Sequence, residues 1–211
     1  MMKITPDSLE LLKNFSGINQ SILLTTDKKL NTIAESKDVL AQAEISEKFD
    51  KEFGIFDLNE FLATLSLFKD PSFKLIDDMF LDIKDDLKGS RSSCKYYKAD
   101  SSAIAEMPST EKILKAIKTA EIKFELTEDD LNAILKAAGT LQSKCACVES
   151  DGKKISISAF DPDNSTANTY SIEVAKGFGK KFRMIFKTQN LSMLMKGDYQ
   201  VSISKNKIAQ F

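Results

Sequence analysis

Histidine is absent from all 211 residues, which removes the commonest general base and the commonest zinc ligand. Tryptophan is absent too, and the four prolines and eight glycines are thinly scattered. Single glycines build no phosphate-cradling loop, and no serine or cysteine stands in a recognisable triad motif. No run of about 18 apolar residues occurs, so nothing reads as a membrane-spanning helix. The start of the chain, Met1-Met2-Lys3-Ile4-Thr5-Pro6, lacks the apolar stretch of a secretory signal. Neither sign of charge prevails: 30 Lys and Arg face 31 Asp and Glu, a formal net charge of −1. These absences leave no obvious catalytic machinery and predict no cofactor.

Three cysteines are present, Cys94, Cys145 and Cys147. Cys145 and Cys147 are two apart in a strand-like run, so alternation sends them to one face. Without further ligands nearby they read as small apolar residues rather than a redox or metal pair. Asp161-Pro162-Asp163 lies in a loop rich in Asp, Asn and Ser and reads as a turn. An enzyme working through Asp161 and Asp163, or through Asp77 and Asp78, with a divalent metal remains a rival reading, although no metal site is expected.

What the chain does contain is one pattern twice. Phe53-Gly54-Ile55-Phe56-Asp57-Leu58-Asn59-Glu60 reads as a strand running into a capped helix, and Met184-Ile185-Phe186-Lys187-Thr188-Gln189-Asn190-Leu191 reads the same way. Upstream, the amphipathic segments starting at Thr5 and at Thr127 also match. Such self-similarity points to two copies of one unit, and 211 residues suit two domains of about 100 each. The expected division is residues 1–104, a Ser-bearing connector 105–120 with a mildly helical stretch 110–120, and residues 121–211. The fold class is α+β: two similar domains, each with two helices packed on antiparallel sheets.

Thr5 is the expected N-cap of a helix over 7–15 with Pro6 at its first position. Leu9, Leu12 and Phe15 form its apolar stripe, and Glu10, Lys13, Asn14 and Gly17 fall opposite. Strands are predicted at 22–25, 29–34, 39–45 and 53–56. A helix capped by Asp57 follows, with Pro71 ending it, and then strands at 73–77, 79–84 and 92–98. In the second half, strand 121–126 precedes a helix capped by Thr127 that buries Leu131, Ile134, Leu135, Ala138 and Leu141. Ala133, Lys136, Ala137 and Thr140 lie on its other side. Strands 144–149, 154–159, 169–175 and 181–186 lead to a fourth helix capped by Thr188, then strands 199–204 and 207–211. By its own repeat the chain stops one strand short, so a truncated second domain with an unpaired sheet edge is expected.

This order of elements, with the stretches Leu11 to Asn19, Ile55 to Leu67 and Asn190 to Tyr199, resembles the DNA polymerase sliding clamps (processivity factors) of T-even-type bacteriophages. The resemblance covers essentially the whole chain and is weakest in the connector. It implies a DNA-clamp fold and a homotrimeric ring of six domains. The helices line a hole for double-stranded DNA and the sheets form the outer wall. It implies that the ring tethers the replicative DNA polymerase in viral DNA replication and that a clamp-loader ATPase opens and closes it. Late-transcription factors are further implied partners, and the cytoplasm of the infected bacterial host is the implied location. A last C-terminal strand found in the family is expected to be missing here.

The resemblance further implies DNA-facing residues: Lys13 and Asn14 on the first helix, Lys136 on the helix after Thr127, and Lys144, Lys3 and Lys196. A sliding ring needs a few mobile lysines that attract the phosphate backbone without reading bases, and a near-neutral net charge allows this if acidic outer surfaces balance a basic lining. Subunit contacts are implied at the last strand of the first domain, Ser92, Lys95 and Tyr97, against an edge strand of a neighbour's second domain, Thr169, Ser171 and Glu173. A partner-binding pocket is implied beside the connector. Ile113, Leu114 and Ile117 have helical spacing there, and read first as packing for the connector itself. The alternative is a monomeric β-rich nucleic-acid-binding or protein-interaction module, disfavoured by phenylalanines that sit mainly at apolar-face positions rather than in exposed stacking platforms.

Overall fold

Thr5 sets the start of the first helix: its hydroxyl accepts from the Ser8 amide at 3.3 Å, and Pro6 occupies the position where a missing N–H costs nothing. A computed structural model describes residues 1–105, 107–108 and 110–211. The chain divides into two units, Met1–Pro108 and Ser109–Phe211, with the division inside the 105–120 stretch read as a connector.

In the first unit α1 (Pro6–Ser16) buries Ser8, Leu12 and Phe15. Strand β1 (Ile22–Leu24) pairs antiparallel with β4 (Phe53–Ile55), and β2 (Lys29–Ile33) with β3 (Leu40–Glu44). Helix α2 (Leu58–Leu65) is capped by Asp57, whose carboxylate accepts the Glu60 amide at 2.9 Å. A meander of β5 (Pro71–Ile76), β6 (Phe80–Asp85) and β7 (Ser93–Tyr97) follows, with β7 at its edge. Met2 bridges to Phe73, adding one residue of pairing to β5. The core is a chain of edge-to-face rings: Phe49 on Phe53 at 5.4 Å, Phe53 on Phe73 at 6.2 Å, Phe73 on Phe61 at 6.2 Å, and Phe61 on Tyr96 at 5.3 Å. It ties β4, β5, α2 and β7 together through a geometry that aromatic quadrupoles favour.

In the second unit α3 (Glu111–Lys118) buries Ile117, half-buries Ile113 and leaves Leu114 exposed. Strand β8 (Ile122–Leu126) leads through Thr127, whose hydroxyl accepts the Asp130 amide at 3.2 Å, into α4 (Glu128–Leu141). Leu131, Ile134 and Ala138 face inward, and Gln142, at φ 53°, ends the helix in a left-handed turn. Strands β9 (Cys145–Asp151), β10 (Lys154–Phe160), β11 (Tyr170–Lys176) and β12 (Lys181–Lys187) form an antiparallel sheet in the order β11-β10-β9-β12. After the short α5 (Thr188–Leu191), β13 (Tyr199–Ile203) and β14 (Ala209–Gln210) join β8 in a sheet ordered β14-β13-β8. Ala146 and Val148 of β9 and Ile155 and Ile157 of β10 join Leu131 and Ile134 of α4 in one buried core.

The two units share a plan. The pairs β3-β2 and β1-β4 of the first unit match β11-β10 and β9-β12 of the second in chain order. The Met2 bridge to β5 matches the pairing of β8 with β13.

Some expectations shift. Helix α2 ends at Leu65, capped by Ser66, and Pro71 opens β5 instead of terminating the helix. The buried Phe68 therefore reaches the core from a turn. Thr188 does not cap α5. Lys187 holds that position, and the Thr188 hydroxyl donates back to the carbonyls of Ser143 at 3.1 Å and Lys144 at 3.0 Å. Asp77 and Asp78 take left-handed angles, φ 48° and 56°, in the β5–β6 turn that the Met79 amide closes on the Ile76 carbonyl. Asp161 likewise accepts the Asp163 amide at 2.9 Å, a local Asx turn.

Candidate nucleic-acid interface

The side of each main helix turned from its core carries small and polar side chains with one lysine. On α1, Asp7, Glu10, Lys13 and, just past the helix, Gly17 are exposed, and Asn14 is half-buried. On α4, Asp129, Asn132, Lys136, Gly139 and Thr140 are exposed, with Ala133 and Ala137 half-buried between them. Asp7 in the first turn and Lys13 in the last turn of α1 match the helix dipole. Neither Lys13 nor Lys136 forms an ion pair with a described residue, so both ammonium groups stay available to an anion. Ala133, Ala137 and Gly139 carry little side chain beside Lys136, and the Thr140 hydroxyl donates back to the Lys136 carbonyl at 2.9 Å.

Helix α1 is fixed at its start by a residue the sequence did not reveal. The Glu47 carboxylate accepts the Thr5 amide and the Ser8 hydroxyl, the latter at 2.7 Å. Burial pushes the Glu47 carboxyl up, but these hydrogen bonds outweigh it and hold it below the ordinary carboxylate range. No local signal marks Glu47, because it meets α1 from 39 residues away.

The remaining predicted lysines are placed differently from one another. Lys144 is exposed just past α4, with its carbonyl engaged by Thr188. Lys196 is exposed between α5 and β13. Lys3 is exposed but already bridged to Asp70 at 2.7 Å and Asp86 at 2.9 Å, and those hydrogen bonds raise its pKa. Its charge is matched by these two carboxylates, whereas no described residue pairs with Lys13 or Lys136. Helix α2 carries no cation; its exposed positions are Asn59, Glu60 and Ala63.

Strands β7 and β11 each lie at an edge of their sheet. On β7, Tyr97 is 61% exposed, and Lys95 lies over the rings of Phe80 at 4.1 Å and Tyr97 at 5.4 Å. Ser92 sits one residue before this strand. On β11, Ser171 and Glu173 are exposed, and Thr169 sits one residue before the strand. Glu173 also reaches Lys154 at 3.8 Å. The two edges thus offer an ammonium on stacked aromatics and a carboxylate among hydroxyls, which are complementary in charge.

The cysteines lie apart from these surfaces. All three are free thiols. Burial pushes the Cys147 thiol up, opposed by Arg183, whose Nε donates to its sulfur at 3.3 Å. That is the environment of an inert structural thiol. Among the described residues no three His, Cys, Asp or Glu side chains gather as a metal site.

Residues 7–106 match the family model described as DNA polymerase processivity factor, and residues 123–211 match the one described as gp45 sliding clamp, C terminal. The protein named sliding clamp of Vibrio phage KVP40 is 29% identical over 213 aligned positions, covering 100% of this chain and 94% of that one. The sliding clamp of Enterobacteria phage T4 is 30% identical over 205, covering 95% and 86%. Among solved structures, PCNA from Thermococcus kodakaraensis shares the fold with a TM-score of 0.66 at 14% identity, over 94% of this chain and 86% of that one.

Proposed function

Because this chain belongs to the sliding-clamp family of DNA polymerase processivity factors, we propose that it closes with two further copies into a ring around duplex DNA and tethers the replicative polymerase. The observation that carries this is the fit of two consecutive clamp models to the two halves of the chain, in order, with phage sliding clamps matching along nearly its whole length. The protein performs no chemistry of its own in this role; the ring acts by topology.

Lys13 and Lys136 supply mobile charge to the phosphate backbone, while the small residues around them keep the contact shallow enough to slide. The edge of β7, with Lys95 and Tyr97, pairs with the edge of β11, with Ser171 and Glu173, on a neighbouring subunit. Ring closure then covers these two edges at once. A loader ATPase opens the ring on primed DNA, and late-transcription factors share it with the polymerase, in the cytoplasm of an infected bacterium. Within the connector, half-buried Ile113 and exposed Leu114 of α3 would offer apolar surface to a partner peptide.

Light scattering tests the ring directly. The expected solution mass is three times that of the 211-residue chain. A monomer at every concentration would remove the ring and favour a β-rich binding module instead.

A further inference from the structure

The second unit carries a braced double tip whose side chains no part of the ring explains. The β9–β10 turn (Gly152, Lys153) and the β11–β12 turn (Gly177-Phe178-Gly179) are locked backbone to backbone. The Gly177 amide donates to the Lys153 carbonyl at 2.7 Å, and the Gly179 amide to the Gly152 carbonyl at 2.9 Å. The approach is close enough to demand glycine: a Cβ on Gly177 would sit 2.6 Å from the carbonyl carbon and oxygen of Gly152. Gly152 and Gly179 also hold φ of +99° and +73°, which side chains rarely adopt.

This brace holds out one aromatic ring in a field of ammonium groups. Phe178 is 57% exposed. Lys176, Lys180 and Lys181 flank it in sequence, Lys153 and Lys154 belong to the turn braced against it and the strand that follows, and all five are exposed. Lys154 stands directly opposite Lys176 across the β10–β11 ladder. Like charges in that position destabilise a sheet, and Glu173, 3.8 Å from Lys154, offsets this only in part. Lys180 is held by Glu121 at 2.6 Å. Lys153 and Lys181 form no ion pair with a described residue.

We propose that this tip is a contact for single-stranded DNA, in which the lysine ammonium groups meet phosphates and an unpaired base stacks on Phe178. An exposed π-face beside ammonium groups combines the two interactions, base stacking and phosphate attraction, by which proteins hold single strands without reading sequence. A protein pocket would ask for a larger apolar surface than one phenylalanine. Lysine in place of arginine suits phosphate as a point charge rather than a bidentate fork. The brace already fixes the backbone, so little ordering is lost on binding. Lys176 lies on β11, the strand placed at the subunit joint, but Phe178, Lys153 and Lys181 lie outside that strand, so variants at these three test the site separately from ring closure.

Fluorescence anisotropy of a labelled oligothymidylate, set against a blunt duplex of the same length, tests it. The wild-type chain is expected to bind the single strand better than the duplex, and more weakly as salt rises. Phe178→Ala should weaken single-strand binding about tenfold, the loss of one stacked base, while Phe178→Tyr keeps it. Lys153→Glu with Lys181→Glu should weaken it further and flatten the salt dependence. These side chains lie outside the core, and the solution mass of each variant reports folding and assembly independently. Three results would overturn the proposal: no single-strand binding at low salt, equal affinity for the blunt duplex, or a Phe178→Ala variant that binds like wild type. If Phe178→Ala leaves DNA binding untouched but lowers association with the cognate polymerase, the tip is a protein contact and the proposal fails.

Discussion

Lys13 and Lys136 differ from Lys3 in one physical respect: no described residue forms an ion pair with them, whereas Asp70 and Asp86 hold Lys3. An unpaired exposed lysine releases counterions when it meets a phosphate, and each such contact adds about one to the salt slope. Lys13→Glu combined with Lys136→Glu should therefore leave the oligomer's mass unchanged. It should cut the salt slope of DNA retention by about two per subunit and shorten primer-extension products. Product lengths equal to wild type would take both lysines off the DNA path. Tyr96 makes a second residue-level case. Burial, followed by the charges of Glu60 and Asp57, pushes its phenol up to about 12, and that phenol donates to the Asp57 carbonyl at 3.1 Å. The unfolded chain ionises tyrosine near pH 10, so from there to about pH 12 the native state holds the extra proton. Stability from this group is complete below pH 10 and is lost as pH rises through 12. Chemical denaturation at stepped pH should show that decline in wild type. Tyr96→Phe should show a shallower one, at a cost of about 1 kcal/mol near neutrality for the missing hydrogen bond.

Elements behave as their ends and edges dictate. Helix α1 begins where Thr5 and Pro6 say it must, yet its N-terminus is secured by Glu47, a residue that no helix signal announces. Helix α5 starts without a capping side chain because Thr188 turns its hydroxyl to the residues after α4 instead. The edges of β7 and β11 carry the assembly argument, through Lys95 and Glu173. Lys95→Glu should weaken each subunit contact by about 1 kcal/mol, since it sets like charges across the joint and removes the cation from the Phe80 and Tyr97 rings. Sedimentation should then show smaller species at low micromolar protein. Adding Glu173→Lys to that variant should restore the larger one. Failure of the double variant to recover would separate these two edges.

On the scale of the whole molecule, a ring holds DNA by enclosure rather than by affinity. Retention on a closed circular template should therefore persist at salt that abolishes binding to short linear duplex, and one cut in the circle should release the protein. Gel filtration of loaded templates before and after linearisation reads this out. Salt-sensitive retention that ignores the cut would mean ordinary surface binding.

The repeat, the caps at Thr5, Asp57 and Thr127, and the apolar faces of α1, α2 and α4 were all legible in the chain, because each depends on residues within a few positions of one another. So were the small residues flanking Lys136. Paired lysines on either side of glycine turns, Lys153-Lys154 and Lys180-Lys181, were equally visible. Their meaning was not, since nothing local says that the two turns touch. What the sequence determined by itself was therefore periodicity, punctuation and duplication. Only the tertiary structure decided which lysines are neutralised, which strand edges stay open and which turns brace each other. Those outcomes join residues as distant as Lys3 and Asp70, or Glu121 and Lys180, and such pairings exist only after the sheets have formed and brought their loops together.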